Sequence, residues 1–69
     1  MNPIREARQK LDLTQPELAK RVGVTQGHIS SLERGNWKAS PELAKRLALE
    51  LGISAMDILF PDEKQQGQQ

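Results

Sequence analysis

The stretch LTQPELAKRVGVTQGHISSLERG, residues 13–35, decides the fold of this chain. Thr14 opens a capping-box pattern, which predicts a short helix that ends at Gly23. Thr25 is a second capping residue and predicts a further helix that runs to Gly35. Because a single valine separates the first glycine from the second cap, the two helices must cross at a large angle. The stretch therefore predicts two helices joined by a sharp turn.

The segment before this stretch predicts a first helix. An asparagine–proline pair at residues 2–3 offers a cap followed by proline at the first helical position. The helix is predicted over about residues 3–12, with Ile4, Ala7 and Leu11 on its apolar face.

The segment after this stretch predicts two more helices. A serine–proline pair starts a fourth helix with a broad apolar face over residues 40–52. A brief fifth helix follows between Ser54 and Pro61, because proline prevents its continuation. The polar tail, residues 62–69, lacks periodicity and is predicted to be disordered. With no strand signal, the sequence predicts an all-α fold, a compact five-helix bundle over residues 1–61.

The composition limits the class of function. A chain of 69 residues makes at most one small domain. It has no cysteine and one histidine, so we expect no metal centre. A chain this short leaves no room for a ligand or cofactor domain, so we expect neither a cofactor nor a small-molecule ligand. No grouping of nucleophile, base and orienting residue recurs, so we do not expect an enzyme. The N-terminus is charged where a signal peptide needs an apolar core, and no stretch has the length of a membrane span; the expected location is the cytoplasm.

Charge is distributed unevenly along the chain. Residues 1–38 hold seven basic and four acidic side chains, a net charge of +3, and residues 39–69 carry a net charge of −2. The positive potential thus belongs to the half that contains the two joined helices. Random scatter of surface charges explains the difference equally well, so charge alone does not identify a polyanionic partner.

The third predicted helix has an unusual composition. Ile29 and Leu32 supply its apolar side, whereas a helix that only packs usually has Lys and Glu on its other face. Here that face is composed of small or hydrogen-bonding residues, namely Gln26, Gly27, Ser30 and Ser31. This composition favours a helix that contacts a ligand.

The stretch resembles the helix-turn-helix of the lambdoid phage repressor and Cro family, an XRE-like DNA-binding domain. The short apolar turn, the Thr14-Gln15 start and the LERG ending at residues 32–35 carry the resemblance. LALELGISAMDILF, residues 47–60, is similar to the family's fourth and fifth helices, so the resemblance covers about residues 3–60. It implies a lambda repressor-like fold and sequence-specific binding of double-stranded DNA.

The resemblance implies that the third helix lies in the DNA major groove, with base contacts at Gln26, Gly27 and Ser31. Glutamine can form a bidentate pair with adenine, and serine can bond to several bases. Gly27 departs from the family, in which many members carry a long polar side chain at this position. Either the backbone comes close to the DNA there, or the site is recognised more through DNA shape.

The resemblance also implies contacts to the DNA backbone. The start of the second helix abuts the backbone in the family, with Gln15 donating to a phosphate, and a helix N-terminus favours anions in any case. The loop after the third helix runs beside the groove, where backbone amides around Asn36 are further candidates. The predicted backbone contacts are Thr14, Gln15, Thr25, His28, Arg34, Asn36 and Lys38.

Two ring side chains have alternative interpretations. His28 either contacts a phosphate when protonated or, as we favour, is neutral and faces solvent. Trp37 either covers the edge of the core, which we favour, or lies against a sugar-phosphate strand.

The remaining predictions concern stability and assembly. Arg8 and Glu33 match positions that form a buried ion pair in the phage repressors, so we expect this structural pair. A homodimer that binds a palindromic operator through half-sites about 10 base pairs apart doubles the base contacts, and Ile58 and Phe60 are its interface candidates. The predicted function is transcriptional repression. The alternative is an antitoxin-like or regulatory protein-interaction module that binds another protein through its C-terminal helices, near residues 53–60.

Overall fold

The computed structural model describes residues 2–60 of the chain, and within this range it contains five α-helices and no strand. They are α1 (Pro3–Lys10), α2 (Gln15–Val22), α3 (Gln26–Arg34), α4 (Pro41–Leu51) and α5 (Ala55–Leu59). The predicted all-α fold is therefore confirmed. The predicted tail, residues 62–69, lies outside the described residues.

All five helices begin where the sequence places their caps, and α2, α3 and α4 also end at the predicted glycines. A polar side chain accepts a backbone N–H at the start of each helix; these caps are Asn2, Thr14, Thr25, Ser40 and Ser54. At α2 the capping box is complete, and hydrogen bonds from Thr14, above all from its backbone N–H, hold the pKa of Glu17 below its ordinary value. Gly23 ends α2 with φ +78° and Gly35 ends α3 with φ +80°, a left-handed conformation that favours glycine.

The end of α1 differs from the prediction. The helix stops at Lys10 rather than near residue 12, because Asp12 adopts a left-handed conformation with φ +57°. Helical spacing therefore no longer applies to Leu11, and its expected place on the apolar face is wrong: the residue is 49% exposed. Leu13 enters the core instead, and its backbone N–H donates to the carbonyl of Arg8 at 3.0 Å.

The core lies where α1 to α4 meet. Leu18 of α2, Ile29 of α3 and Leu47 of α4 are fully inaccessible to solvent. The complete set of buried residues is Ile4, Ala7, Leu13, Leu18, Ala19, Val22, Ile29, Leu32, Leu43, Ala44, Leu47, Leu51 and Ile58. In this core α2 packs against both α3 and α4, and α1 packs against α3, α4 and α5. The inner face of α3 is thus fixed on the core, and its outer face is left at the surface.

Candidate nucleic-acid interface

The outer face of α3 is an open polar surface. Gln26 and Gly27 are exposed, and Ser30 and Ser31 are partly exposed. Within residues 2–60, none of these side chains forms a hydrogen bond with the rest of the protein. The first backbone N–H groups of a helix likewise have no intrahelical acceptor. Donors and acceptors at the start of α3 are therefore available to a ligand.

The start of α2 lies beside the start of α3. Thr14, Gln15 and Gln26 line one shallow, open depression, together with residues from the end of α1. The structure thus brings one predicted base-contacting side chain next to two predicted phosphate-contacting residues. A ligand that covers Gln26 also meets the first turn of α2.

Both capping threonines accept a backbone N–H, and the hydroxyl of Thr25 keeps its donor free. The hydroxyl oxygen of Thr14 accepts from the Glu17 N–H at 3.2 Å, and that of Thr25 accepts from the His28 N–H at 3.2 Å. A hydroxyl has one donor as well as its acceptor sites, so the Thr25 O–H hydrogen can still donate outward. The Thr14 hydroxyl also interacts with the Glu17 carboxylate and helps to lower its pKa. Both threonines are exposed. This arrangement suits contact with an anionic oxygen.

An ion pair beneath this surface joins α1 to the last turn of α3. Arg8 donates to both Glu33 oxygens, from Nε to Oε2 at 2.6 Å and from Nη2 to Oε1 at 3.0 Å. The two side chains are only 12% and 4% exposed. The hydrogen bond to Glu33 raises the pKa of Arg8 above its ordinary value. Arg8 Nη1 also donates to the carbonyl of Leu13 at 2.8 Å, which fixes the segment before α2.

Gln15 has a partner that the sequence did not indicate. Its Nε2 donates to Glu33 Oε1 at 3.1 Å, across 18 positions of the chain. Helical spacing and capping patterns relate residues within about four positions, so no sequence signal pointed to this bond. The side chain expected to contact a phosphate is therefore attached to the buried ion pair.

The loop after α3 corrects one prediction and leaves others as they were. The Asn36 N–H donates to the Ser31 carbonyl at 3.0 Å, so this amide closes the end of α3 and is not free for a phosphate. The side chains of Arg34, Asn36 and Lys38 are exposed. In the described part of the chain, neither Arg34 nor Lys38 takes part in a salt bridge. Two uncompensated positive charges therefore remain at this end of α3.

Trp37 does not cover the core. It is 62% exposed, so the favoured interpretation of a core-covering residue is wrong. Its ring lies against that of His28, with centroids 6.0 Å apart and planes tilted by 53°. His28 is thus half-buried beside an aromatic ring, not fully solvent-facing. The reason is that the loop first ends α3 through the Asn36 N–H and only then runs on to α4. The indole of Trp37 therefore stays outside the core.

Nothing in the fold requires glycine at position 27. A Cβ built on Gly27 meets no atom nearer than Thr25 Oγ1 at 4.0 Å, and the residue lacks the positive φ of the capping glycines. Glycine inside a helix costs about 0.5–1 kcal/mol relative to alanine. Its presence therefore has no explanation inside the protein.

Of the two residues predicted for the dimer interface, Ile58 is buried and Phe60 is exposed. Ile58 belongs to the core and is 9% exposed, because α5 buries it against α1 and α4. The prediction that Ile58 lies at the surface, where a second chain could contact it, is therefore corrected. Phe60 is 47% exposed and Met56 is 58% exposed. Phe60 and Trp37 line one groove next to the start of α1.

Two further properties concern the described residues as a whole. Within residues 2–60 there is no group of three or more His, Cys, Asp or Glu side chains that could hold a metal ion. In the same range no helix is long and apolar enough to cross a membrane.

Comparisons with known proteins agree with this geometry. The family model described as Helix-turn-helix matches residues 4–58, which confirms the resemblance seen in the sequence. An HTH-type transcriptional regulator of Methanothermobacter thermautotrophicus is 49% identical over 57 residues, which cover 83% of each chain. A second such protein, from Archaeoglobus fulgidus, is 42% identical over 90% of this chain and 87% of its own. One from Sinorhizobium fredii is 35% identical over 83% of this chain and 74% of its own. No solved structure gives a significant match.

Proposed function

This chain belongs to the helix-turn-helix family, and from that premise we propose that it is a sequence-specific regulator of transcription that binds double-stranded DNA. The observation that carries the proposal is the outer face of α3, whose polar side chains have no partner in the described part of the chain. A polar helix face next to the free capping hydroxyl of Thr25 has the groups that a major groove and its flanking phosphates need.

The proposed contacts divide into two classes. Gln26 and Ser31 contact base edges from α3, and Gly27 lets the α3 backbone approach the bases. The phosphate contacts come from the start of α2 and of α3 and from the loop after α3; they are Thr14, Gln15, Thr25, His28, Arg34, Lys38 and the side chain of Asn36. Only the first class specifies sequence, whereas the second positions α3 in the groove.

We further propose that the protein acts as a repressor and binds a palindromic operator as a homodimer. One chain offers few base-reading side chains, and a twofold dimer doubles them. The exposed apolar residue Phe60, which lines one groove with Trp37, and the exposed Met56 supply a candidate interface. Occupation of a promoter by such a dimer requires no cofactor.

The same apolar residues support a second candidate function. Exposed Met56 and Phe60 also suit a different protein, in the manner of an antitoxin or a regulatory subunit. In that case the purified chain stays monomeric on DNA, and substitution of Phe60 leaves its DNA stoichiometry unchanged.

Selection of bound fragments from a random DNA library tests the proposal. We expect an inverted repeat with half-site centres about 10 base pairs apart, and two chains per site at saturation. Binding to unrelated DNA should weaken steeply as salt increases. Recovery of no enriched sequence would contradict specific recognition, and one chain per palindromic site at saturation would contradict the dimer.

A further inference from the structure

We propose that Glu33 is a positioning residue for DNA binding: its carboxylate holds the Gln15 amide so that one N–H of Gln15 faces the DNA backbone. The inference rests on the proposed function and concerns a residue that itself touches no DNA. It is carried by the contacts of Glu33 in the folded chain.

The first step concerns the acceptor. An ionised carboxylate only accepts hydrogen bonds, and Glu33 accepts three from side chains: two from Arg8 and one from Gln15 Nε2. Because Arg8 holds both oxygens and the side chain is 4% exposed, the carboxylate is fixed in position and orientation.

The second step concerns the amide. A glutamine side chain has a carbonyl end and an NH₂ end, and only the NH₂ end can face a carboxylate. The bond to Glu33 therefore excludes the flipped amide and uses one of the two Nε2 hydrogens. In residues 2–60, Gln15 makes no other side-chain hydrogen bond, so the second N–H is free to donate outward.

The third step concerns the position of Gln15 relative to α3. Glu33 lies in the last turn of α3, and Gln15 is the first residue of α2. A phosphate bound by Gln15 is thereby tied to the helix that carries Gln26 and Ser31. A contact fixed in advance loses less conformational entropy on binding, so the network favours DNA affinity as well as the fold.

The experiment measures the binding of a duplex of unrelated sequence to wild type, Gln15→Ala, Glu33→Gln and the double variant. Circular dichroism sets a temperature at which all four are folded. We expect Gln15→Ala to weaken binding about tenfold, because it removes a hydrogen bond to a charged group. Glu33→Gln should weaken it about two- to tenfold through loss of the ordered side chain.

The decisive comparison is the effect of Glu33→Gln in two variant backgrounds, Gln15→Ala and Gln26→Ala. In Gln15→Ala, the effect of Glu33→Gln should disappear, since Glu33 acts through Gln15. The matched control is Gln26→Ala, in which the effect of Glu33→Gln should persist in full. An equal effect of Glu33→Gln in both backgrounds would mean that Glu33 supports only the fold, and the inference would be overturned.

A spectroscopic measurement covers the case in which Glu33→Gln does not fold. In the wild-type chain without DNA, one side-chain amide proton of Gln15 should exchange with water more slowly than those of the exposed Gln9 and Gln26. Identical exchange at all three glutamines would overturn the inference. If the wild-type chain binds no DNA at low salt, the proposed function and the inference fail together; if it binds DNA but Gln15→Ala has no effect, only the inference fails.

Discussion

Polar side chains lie on the outer faces of both α3 and α4, yet only those of α4, which also exposes Leu49, form ion pairs within the described residues. On α4, Arg46 donates to Glu42 at 2.9 Å, and Glu50 lies 3.6 Å from Arg21 of α2. On α3, the outward side chains have no hydrogen-bond partner within the described residues. A surface whose charges pair with one another needs no ligand, whereas unpaired small polar groups are suited to accept one.

On the inner sides of the two helices the contrast is reversed: the inner side of α3 includes a charged pair and, within residues 2–60, that of α4 does not. α3 is attached through a charged pair, Arg8 with Glu33, whose side chains are 12% and 4% exposed. The inner side of α4 is apolar, with Leu47 fully inaccessible, and its ion pair to α2, Glu50 with Arg21, lies at the surface. The charged attachment therefore lies beneath the face that is proposed to bind DNA, where it can also hold Gln15.

The largest expected effect comes from breaking the attachment of α3. Arg8→Leu leaves Glu33 buried without its partner, so the free energy of unfolding should fall by about 3 kcal/mol or more. Leucine at both positions should restore most of this stability, because no isolated charge remains. Thermal melts of the two variants and the wild type decide the matter, and small, equal losses in both would show that the pair is not energetically buried.

The next effect concerns specificity. Gln26→Ala should lower affinity for the selected site by roughly 1–3 kcal/mol and relax the base preference at one position of each half-site. The fold should be unaffected, since Gln26 is exposed. The variant is titrated against the selected site, a site altered at that position and unrelated DNA. Equal weakening on all three would mean that Gln26 does not read a base.

Gly27→Ala should change stability and binding in opposite directions. Alanine fits without a clash, so the free energy of unfolding should rise by about 0.5–1 kcal/mol. If the α3 backbone approaches the bases at this position, the added methyl group should weaken DNA binding. Thermal melts and titrations on the selected site provide both quantities. Unchanged or tighter binding would instead support recognition through DNA shape at Gly27.

Lys38→Ala tests the charges at the end of α3. Loss of a phosphate contact should weaken binding to all sequences alike and reduce the slope of log affinity against log salt by about one unit. Lys45→Ala is the matched control, because it removes the same charge from an exposed position on α4. Similar changes in slope for both lysines would indicate general electrostatic attraction rather than a contact at Lys38.

The smallest effect is expected on the outer face of α4. Arg46→Ala removes an exposed pair, with side chains 54% and 78% exposed, so stability should fall by only about 0.3–0.5 kcal/mol. DNA affinity should not change beyond the loss of one distant charge. A loss of stability comparable to that of Arg8→Leu would remove the distinction between the two faces.

The sequence by itself determined the helices and most of their ends. Thr14 and Gly23 act through hydrogen bonds and backbone conformations confined to neighbouring residues. Apolar spacing identified the buried residues Ile4 and Ala7 of α1 and Ile29 and Leu32 of α3. The family also followed from local motifs, because the turn between α2 and α3 is short and its signals are contiguous.

Apart from the Arg8–Glu33 pair, which the family resemblance implied, only the tertiary structure decided which separated residues meet. Asp12 turned the chain so that Leu13 replaced Leu11 in the core, Trp37 came to lie on His28, and Ile58 became buried. Glu33 reached Gln15 across 18 positions. The physical reason is that caps and periodicity act over one helical turn, whereas these contacts depend on how whole helices cross and pack.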